Sequence, residues 1–447
     1  MTKPSDFIAR PRTFTRSDKL REKTRRLIPG GAHTYSKGDD QFPQLAPGFI
    51  ARGKGSHVWD VDGNEFIDWG MGLRAVVLGH AYEPVLAAVR QQLEFGANHT
   101  RPTPLEGELA ELFVDLIPSA ELVKFAKHGS DVTTAAVKLC RAYTGRDLVV
   151  RCEQHPFFSI DDWFIGDTPV NSGIPRVTRE LTKRFSYNDL ASLERVFDEY
   201  PDQVAAVILE PAATEDPKPG FLVGVQKLCR DRGAVFVLDE MITGFRWSVR
   251  GAQHHYGVTP DLSTFGKAVG NGFSVGALVG RRDLMRLGGL DHDRERVFLL
   301  STTHGGETHS LTAAMKTIQV MRDEHVTDHL WKIGKDLTDG FNGLSAEAGL
   351  QERVAVRGLP CSPLMVFLDE KGQVSWELRT LFLQEVIRGG VLIPYIAPSY
   401  SHTSDDIAIT LAACQRALRA VKDALSDGKV GERIVGPVCK PVFRRYN

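Results

Sequence analysis

Short runs rich in apolar and β-branched residues recur between about residues 105 and 280: Leu122–Ala126, Leu148–Cys152, Val204–Leu209, Val235–Leu238 and Val275–Val279. They are too short for helices and mostly lack the polar alternation of a half-exposed strand, so they predict buried strands. The segments between them, Thr133–Tyr143, Asn188–Glu199 and Leu222–Arg232, keep an apolar face at helical spacing and predict covering helices. Alternation of this kind implies an α/β fold, a mostly parallel sheet flanked by helices. In such sheets ligands bind beyond the carboxyl ends of the strands.

Ahead of this block, HVWDVDGNEFIDW places two strand-like runs around Asp62-Gly63, a hairpin signature. Beyond about residue 330, helices alternate with the short strands Leu364–Leu368 and Val391–Ile393, and a final helix over Asp406–Leu425 carries an apolar stripe. The expected organisation is a large α/β domain over residues 76–330 and a smaller α+β domain built from both chain ends, residues 1–75 and 331–447.

Charge changes the picture by exclusion. The 447 residues carry 55 basic and 56 acidic side chains, a balance that argues against nonspecific attraction to nucleic acid or an anionic membrane. The longest apolar runs, such as Val204–Leu209 and Ala234–Leu238, fall far short of the ~20 residues of a membrane helix. The basic N-terminus lacks the apolar core of a secretory signal, so a cytoplasmic enzyme of small molecules is expected. Cys140, Cys152, Cys229, Cys361, Cys414 and Cys439 are scattered singly, without metal or redox spacing, and are expected to be reduced. His254, His255 and His402 read as structural, and no metal site is expected.

Asp239 in VFVLDEMITGFR ends one predicted strand, and Lys267 in DLSTFGKAVGNG follows the next strand end. Alone, each has an ordinary explanation, a turn cap for the acid and a surface lysine for the base. Together they could touch one ligand. Pyridoxal phosphate needs a lysine amine for covalent attachment and a carboxylate to keep its ring nitrogen protonated. It also needs a phosphate cradle, and Gly129 and Ser130 stand directly after a strand at the start of a helix, where unpaired amides attract anions.

The segments KHGSDVTTAAVKLCRAYTGR, LDEMITGFR, STFGKAVGNG and STTHGGETHSLTAAM resemble the class III aminotransferases of the fold-type I pyridoxal-phosphate superfamily. The likeness is nearest to the glutamate-1-semialdehyde aminomutase branch and runs from about Pro29 to Ala420. It implies a Schiff base at Lys267, Asp239 against the pyridinium, Met241 beneath the ring, Gly129 and Ser130 as the phosphate cup, and Glu210 close by. Thr303 matches a threonine that reaches the phosphate of the neighbouring subunit's cofactor, which implies a homodimer with shared active sites.

Departures from the family bear on the substrate. Lys127 and His128 stand where Asn-Ser is usual, and Asp131 replaces a glutamate. Phe157-Phe158-Ser159 replaces Tyr-His-Gly, and Phe157 can still stack on the ring. Lys37 replaces an arginine that in the aminomutase branch binds substrate, and Arg74 stands where a small residue is usual. Tyr35, Lys37, Arg74 and His128 are therefore the candidate substrate residues, and their basic character points to an anionic or sugar-derived carbonyl acceptor served by a small-molecule amino donor. An aminomutase and a non-catalytic pyridoxal-phosphate module remain as alternatives.

Overall fold

The computed structural model describes residues 3–446. They form two compact units: one from the described residues up to Leu73, Val77–Tyr82 and Asp328–Arg444, the other from Arg74–Val76, Glu83–Thr327 and the last two described residues. In chain order the strands are β1 (Ile50–Lys54), β2 (His57–Asp60), β3 (Glu65–Asp68), β4 (Leu122–Ala126), β5 (Leu148–Cys152), β6 (Thr182–Phe185), β7 (Val204–Leu209), β8 (Val235–Asp239), β9 (Leu262–Phe265), β10 (Gly276–Gly280), β11 (Val354–Arg357), β12 (Leu364–Phe367) and β13 (Val391–Leu392).

The larger unit is built on a sheet of order β4-β10-β9-β8-β7-β5-β6. Strands β5 to β9 pair in parallel, while β10 lies antiparallel between β9 and β4. Two reversals restore direction, so β4 runs with β9, and the carboxyl ends of β4 through β9 share one edge. The apolar runs become strands because every residue of β5, β7 and β8 is buried, on both faces; on one face Val150, Val207, Leu209, Phe236 and Leu238 share a core with Leu193 and Phe197 of the helix Leu190–Glu199 and with Leu222, Val225 and Cys229 of the helix Phe221–Asp231. Burying each such side chain contributes roughly 1.5–3 kcal/mol. All six cysteines are free and buried.

Two strands of this sheet lack the uninterrupted apolar pattern. β6 (TKRF) lies at the sheet edge, where Lys183 and Arg184 break the apolar pattern. β9 (LSTF) is fully buried but half polar. Ser263 and Thr264 are tolerated because Ser263 Oγ meets Ser119 Oγ at 3.1 Å and accepts from Gln253 Nε2 at 3.2 Å, and the Thr264 hydroxyl donates to Asp239 at 3.0 Å.

In the smaller unit β2 and β3 form the expected hairpin around Asp62-Gly63, with Asp60 Oδ1 accepting the Asn64 and Asp62 amides at 2.8 and 3.0 Å. β13 adds in parallel to β3. The closing helix Ser404–Ser426 starts at a capping box in which Thr403 and Asp406 satisfy each other's amides, and its stripe of Ala413, Ala417, Leu418 and Val421 lies in the core.

One close approach ties the large sheet to the head of a helix. A Cβ at Gly276 of β10 would lie 2.8 Å from the His128 carbonyl oxygen, just ahead of the helix Gly129–Thr144. Gly276→Ala is expected to destabilise the protein by about 1–3 kcal/mol, as overpacking does, read as a lower thermal unfolding midpoint; an unchanged midpoint would show that the backbone yields.

Candidate active site

Residues leaving the carboxyl ends of β4, β5, β7, β8 and β9 carry, in turn, Gly129-Ser130, His155 to Phe157, Glu210, Asp239 to Met241, and Lys267. Asp239 is the last residue of β8, buried, with Thr264 of β9 paired beside it. Its Oδ1 accepts the Met241 amide at 2.9 Å and the Thr264 hydroxyl at 3.0 Å. Among the described residues no donor reaches Oδ2. Burial raises the Asp239 pKa to about 6, against the Met241 amide, the charge of Lys267 and the Thr264 hydroxyl, which all favour the anion.

Past β9 the chain stays extended at Gly266 and then turns left-handed at Lys267, where φ is +46°. A non-glycine residue held there stores on the order of 1–3 kcal/mol of strain. Burial lowers the Lys267 pKa, the negative charges of Glu210 and Asp239 oppose this, and the charges of Arg74 and Arg246 add to it. Burial and then Asp239 push Glu210 up to about 8, with Lys267 and Arg74 opposing. Asp239, Glu210 and Lys267 thus titrate against one another in the field of the Arg74 and Arg246 guanidinium groups.

Met241 joins the acid to the helix head. A Cβ on Gly129 would lie 2.8 Å from Met241 Sδ, and one on Gly266 would lie 2.7 Å from the same atom. Both residues are glycine because the thioether runs between the start of the Gly129–Thr144 helix and the Lys267 turn. At that helix start Asp131 accepts the His128 amide at 2.9 Å, while Ser130 Oγ accepts the Ile160 amide at 3.1 Å and keeps its own proton to donate. That bond draws the segment after β5 toward the helix. On it Phe157 is half-exposed, edge-on to Phe164 at 5.6 Å, and Phe158 is buried.

The remaining candidates separate. Arg74 ends the turn Met71–Arg74, whose four residues all have positive φ, and its carbonyl accepts from Arg246 Nη2 at 3.1 Å. His128 is exposed at the helix cap, and Thr303 is exposed on the segment before the helix Thr308–Asp323. Tyr35 and Lys37 are exposed on a short turn of the smaller unit.

Two residues escaped the sequence reading. His155 Nδ1 accepts the Glu210 amide at 3.0 Å; burial, with Arg151 adding, drives its pKa down to about 3, so the ring is neutral with its proton on Nε2. The available signal was a histidine just past a strand end. Arg246 is fully buried beside the cluster, and an arginine in a turn after LDEM gave no sign of that.

The aminotransferase class-III family model matches residues 36–425. A 3-aminobutyryl-CoA aminotransferase of Cloacimonas acidaminovorans (strain Evry) is 32% identical over 424 residues, 92% of this chain and 99% of its own. A glutamate-1-semialdehyde 2,1-aminomutase of Syntrophobacter fumaroxidans (strain DSM 10017 / MPOB) is likewise 32% identical, over 438 residues and the same shares of each chain. The FumI protein of Sphingopyxis sp. MTA144, solved in its PLP internal aldimine form, is 29% identical and superposes with a TM-score of 0.84 over 92% of this chain and 98% of its own.

The raised Asp239 pKa carries a sign. Between pH 3.8 and about 6 the folded, ligand-free protein holds a proton that the unfolded chain releases, so this carboxyl's contribution to stability declines as pH rises through that window. Asp239→Asn removes the decline. From pH 4 to pH 7 the variant is expected to gain on the wild type by an amount on the order of 1–3 kcal/mol, measured by denaturant unfolding of both; parallel pH profiles would contradict this.

Proposed function

Because the chain belongs to the class III aminotransferases, we propose that it is a pyridoxal-phosphate enzyme that passes an amino group from a small donor to the carbonyl of an anionic or sugar-derived acceptor, with Lys267 as the point of cofactor attachment. The observation that carries this reading is the placement of Asp239 and Lys267 just past neighbouring parallel strand ends, with Met241 held by Gly129 and Gly266 beside the head of a helix.

The residues fit the group. Asp239 has one oxygen fixed by two donors and the other left to accept from a protonated ring nitrogen, and a cation there would favour the anion that burial disfavours. The first-turn amides of the Gly129–Thr144 helix and the Ser130 proton suit a phosphate. Met241 would lie under the ring, and Phe157, half-exposed, offers an aromatic face to it.

When bound, pyridoxal phosphate supplies an electron-withdrawing ring that stabilises negative charge on the amino-bearing carbon of the substrate. The protein's share is proton transfer and orientation. Lys267 Nζ, its pKa lowered by burial, would take a proton from that carbon and pass it to the C4′ carbon of the bound cofactor, and would carry one the other way on the opposite half of the cycle. Glu210, pushed up to about 8, can hold a proton next to it, and the His155 bond fixes the backbone from which Glu210 projects. Arg74, whose charge is felt by both Lys267 and Glu210, would receive the anionic part of the acceptor, with His128 as a further candidate; Tyr35 and Lys37 are candidates on the resemblance alone. Exposed Thr303 would serve the phosphate of a neighbouring subunit in a homodimer. No described helix is long and apolar enough to cross a membrane, and the buried free cysteines suit the cytoplasm proposed for it.

The equal identity to an aminomutase keeps a second reading, an amino shift within one molecule. A single candidate amino aldehyde supplied without a donor separates the two: complete turnover marks the mutase, while a stalled reaction marks the transferase. Lys267→Ala is expected to reduce turnover by more than about 10⁴-fold, the upper end for one acid/base group, with cofactor still bound noncovalently. Asp239→Asn is expected to lose about 10²–10³-fold, as for other preorganised electrostatic partners. Full activity of the lysine variant in a steady-state transamination assay would end the proposal, and a visible absorbance band that no amine donor bleaches would make the protein a cofactor-binding module.

A further inference from the structure

At the end of β4, immediately before the helix head, Lys127 is fixed at both its backbone and its amine. Its carbonyl accepts from Ser274 Oγ at 2.7 Å, and its Nζ donates to Glu307 Oε2 at 2.5 Å and to Ser310 Oγ at 2.9 Å. Both partners of the ion pair are largely buried, with side chains 15% and 20% exposed. Glu307 is the residue before the helix Thr308–Asp323, four positions after Thr303, and its carboxylate also lies 3.1 Å from His304 Nδ1 and 3.5 Å from His309 Nε2. The same segment is held from a third side: the Thr303 carbonyl accepts from Asn98 Nδ2 and the Thr308 amide donates to the Ala97 carbonyl, both at 3.0 Å.

Glu307 neutralises the ammonium of Lys127, and two of its donors are taken, so it has little net charge to offer a phosphate at Gly129-Ser130. Its effect must be geometric. A mostly buried ion pair is held stiffly, and deleting either member strands a charge, typically at a cost of several kcal/mol. The pair spans two segments that the pyridoxal-phosphate reading assigns to phosphate, the 129–130 cup of the chain's own site and the Thr303 segment facing a neighbour's.

We propose that Lys127 and Glu307 are positioning residues that lock these two phosphate-contacting segments together, so that each chain's own cup and the arm it lends to the other active site are set by one ion pair. The inference rests on the cofactor and dimer reading above. It makes Lys127 a specific departure from the family's asparagine with its own counterion, rather than a neutral replacement.

The test compares the phosphorylated aldehyde with pyridoxal, which lacks the phosphate. Cofactor-stripped wild type, Lys127→Met, Lys127→Arg and Glu307→Gln are titrated with each and followed by absorbance. A phosphate-positioning role predicts that Lys127→Met and Glu307→Gln weaken pyridoxal phosphate by about tenfold or more, the equivalent of one lost polar interaction, while pyridoxal affinity stays within about twofold and Lys127→Arg keeps most of the wild-type affinity. Adding Thr303→Ala to Lys127→Met should cost less than the sum of the two single effects, the sign of coupled residues. Equal losses for both aldehydes, or strictly additive effects, would overturn the proposal and leave the pair merely structural. If Lys127→Met does not fold, the nearly isosteric Glu307→Gln carries the same comparison. Wild-type protein that does not bind pyridoxal phosphate would instead sink the cofactor reading, and this proposal with it.

Discussion

A lysine and a buried carboxylate just past the carboxyl ends of two neighbouring parallel strands, β9 and β8, are what the proposed chemistry of this chain depends on. Burial alone would neutralise both: it raises Asp239 and lowers Lys267. Their mutual attraction and the two donors on Asp239 Oδ1 work the other way. The outcome is a site poised between charge states, the condition under which a bound cation or a departing proton can shift the balance. Glu210 extends that poise, with Arg74 and Arg246 as the counter-charge.

The fold earns this by bringing strand ends together and by removing side chains where backbones must meet. β10, reversed between β9 and β4, returns the direction of β4 so that its following helix starts on the same edge as Lys267. Glycine then recurs at the contacts: Gly276 under the His128 carbonyl, Gly129 and Gly266 on either side of Met241. The strained backbone at Lys267 falls at the same place, a local conflict retained where the chemistry is proposed.

Much of this was legible in the sequence, and what was not has a physical reason. Apolar strands β5, β7 and β8 announced themselves because burial on both faces leaves no polar alternation, and the helices between them showed their apolar faces. β9 was implied only by the place given to Lys267 and had no apolar run of its own, because its Ser263 and Thr264 are satisfied by Ser119, Gln253 and Asp239 from distant parts of the chain. β6 did not announce itself, because an edge strand can carry Lys183 and Arg184. At the site, Asp239 and Lys267 could be singled out by residue type and by their place after strands. His155 and Arg246 could not, since their significance lies in burial and in partners distant in sequence. The candidate substrate residues were least legible: Arg74 shares the electrostatics of Lys267, whereas Tyr35 and Lys37 are exposed on the other unit.

The most direct test of attachment at Lys267 is to reduce the cofactor-loaded protein with borohydride and map the modified peptide by mass spectrometry. A phosphopyridoxyl group on Lys267, and on no other lysine, is the result predicted. Its appearance on another lysine such as Lys127, or the absence of any covalent label on protein that has bound the cofactor, would contradict it.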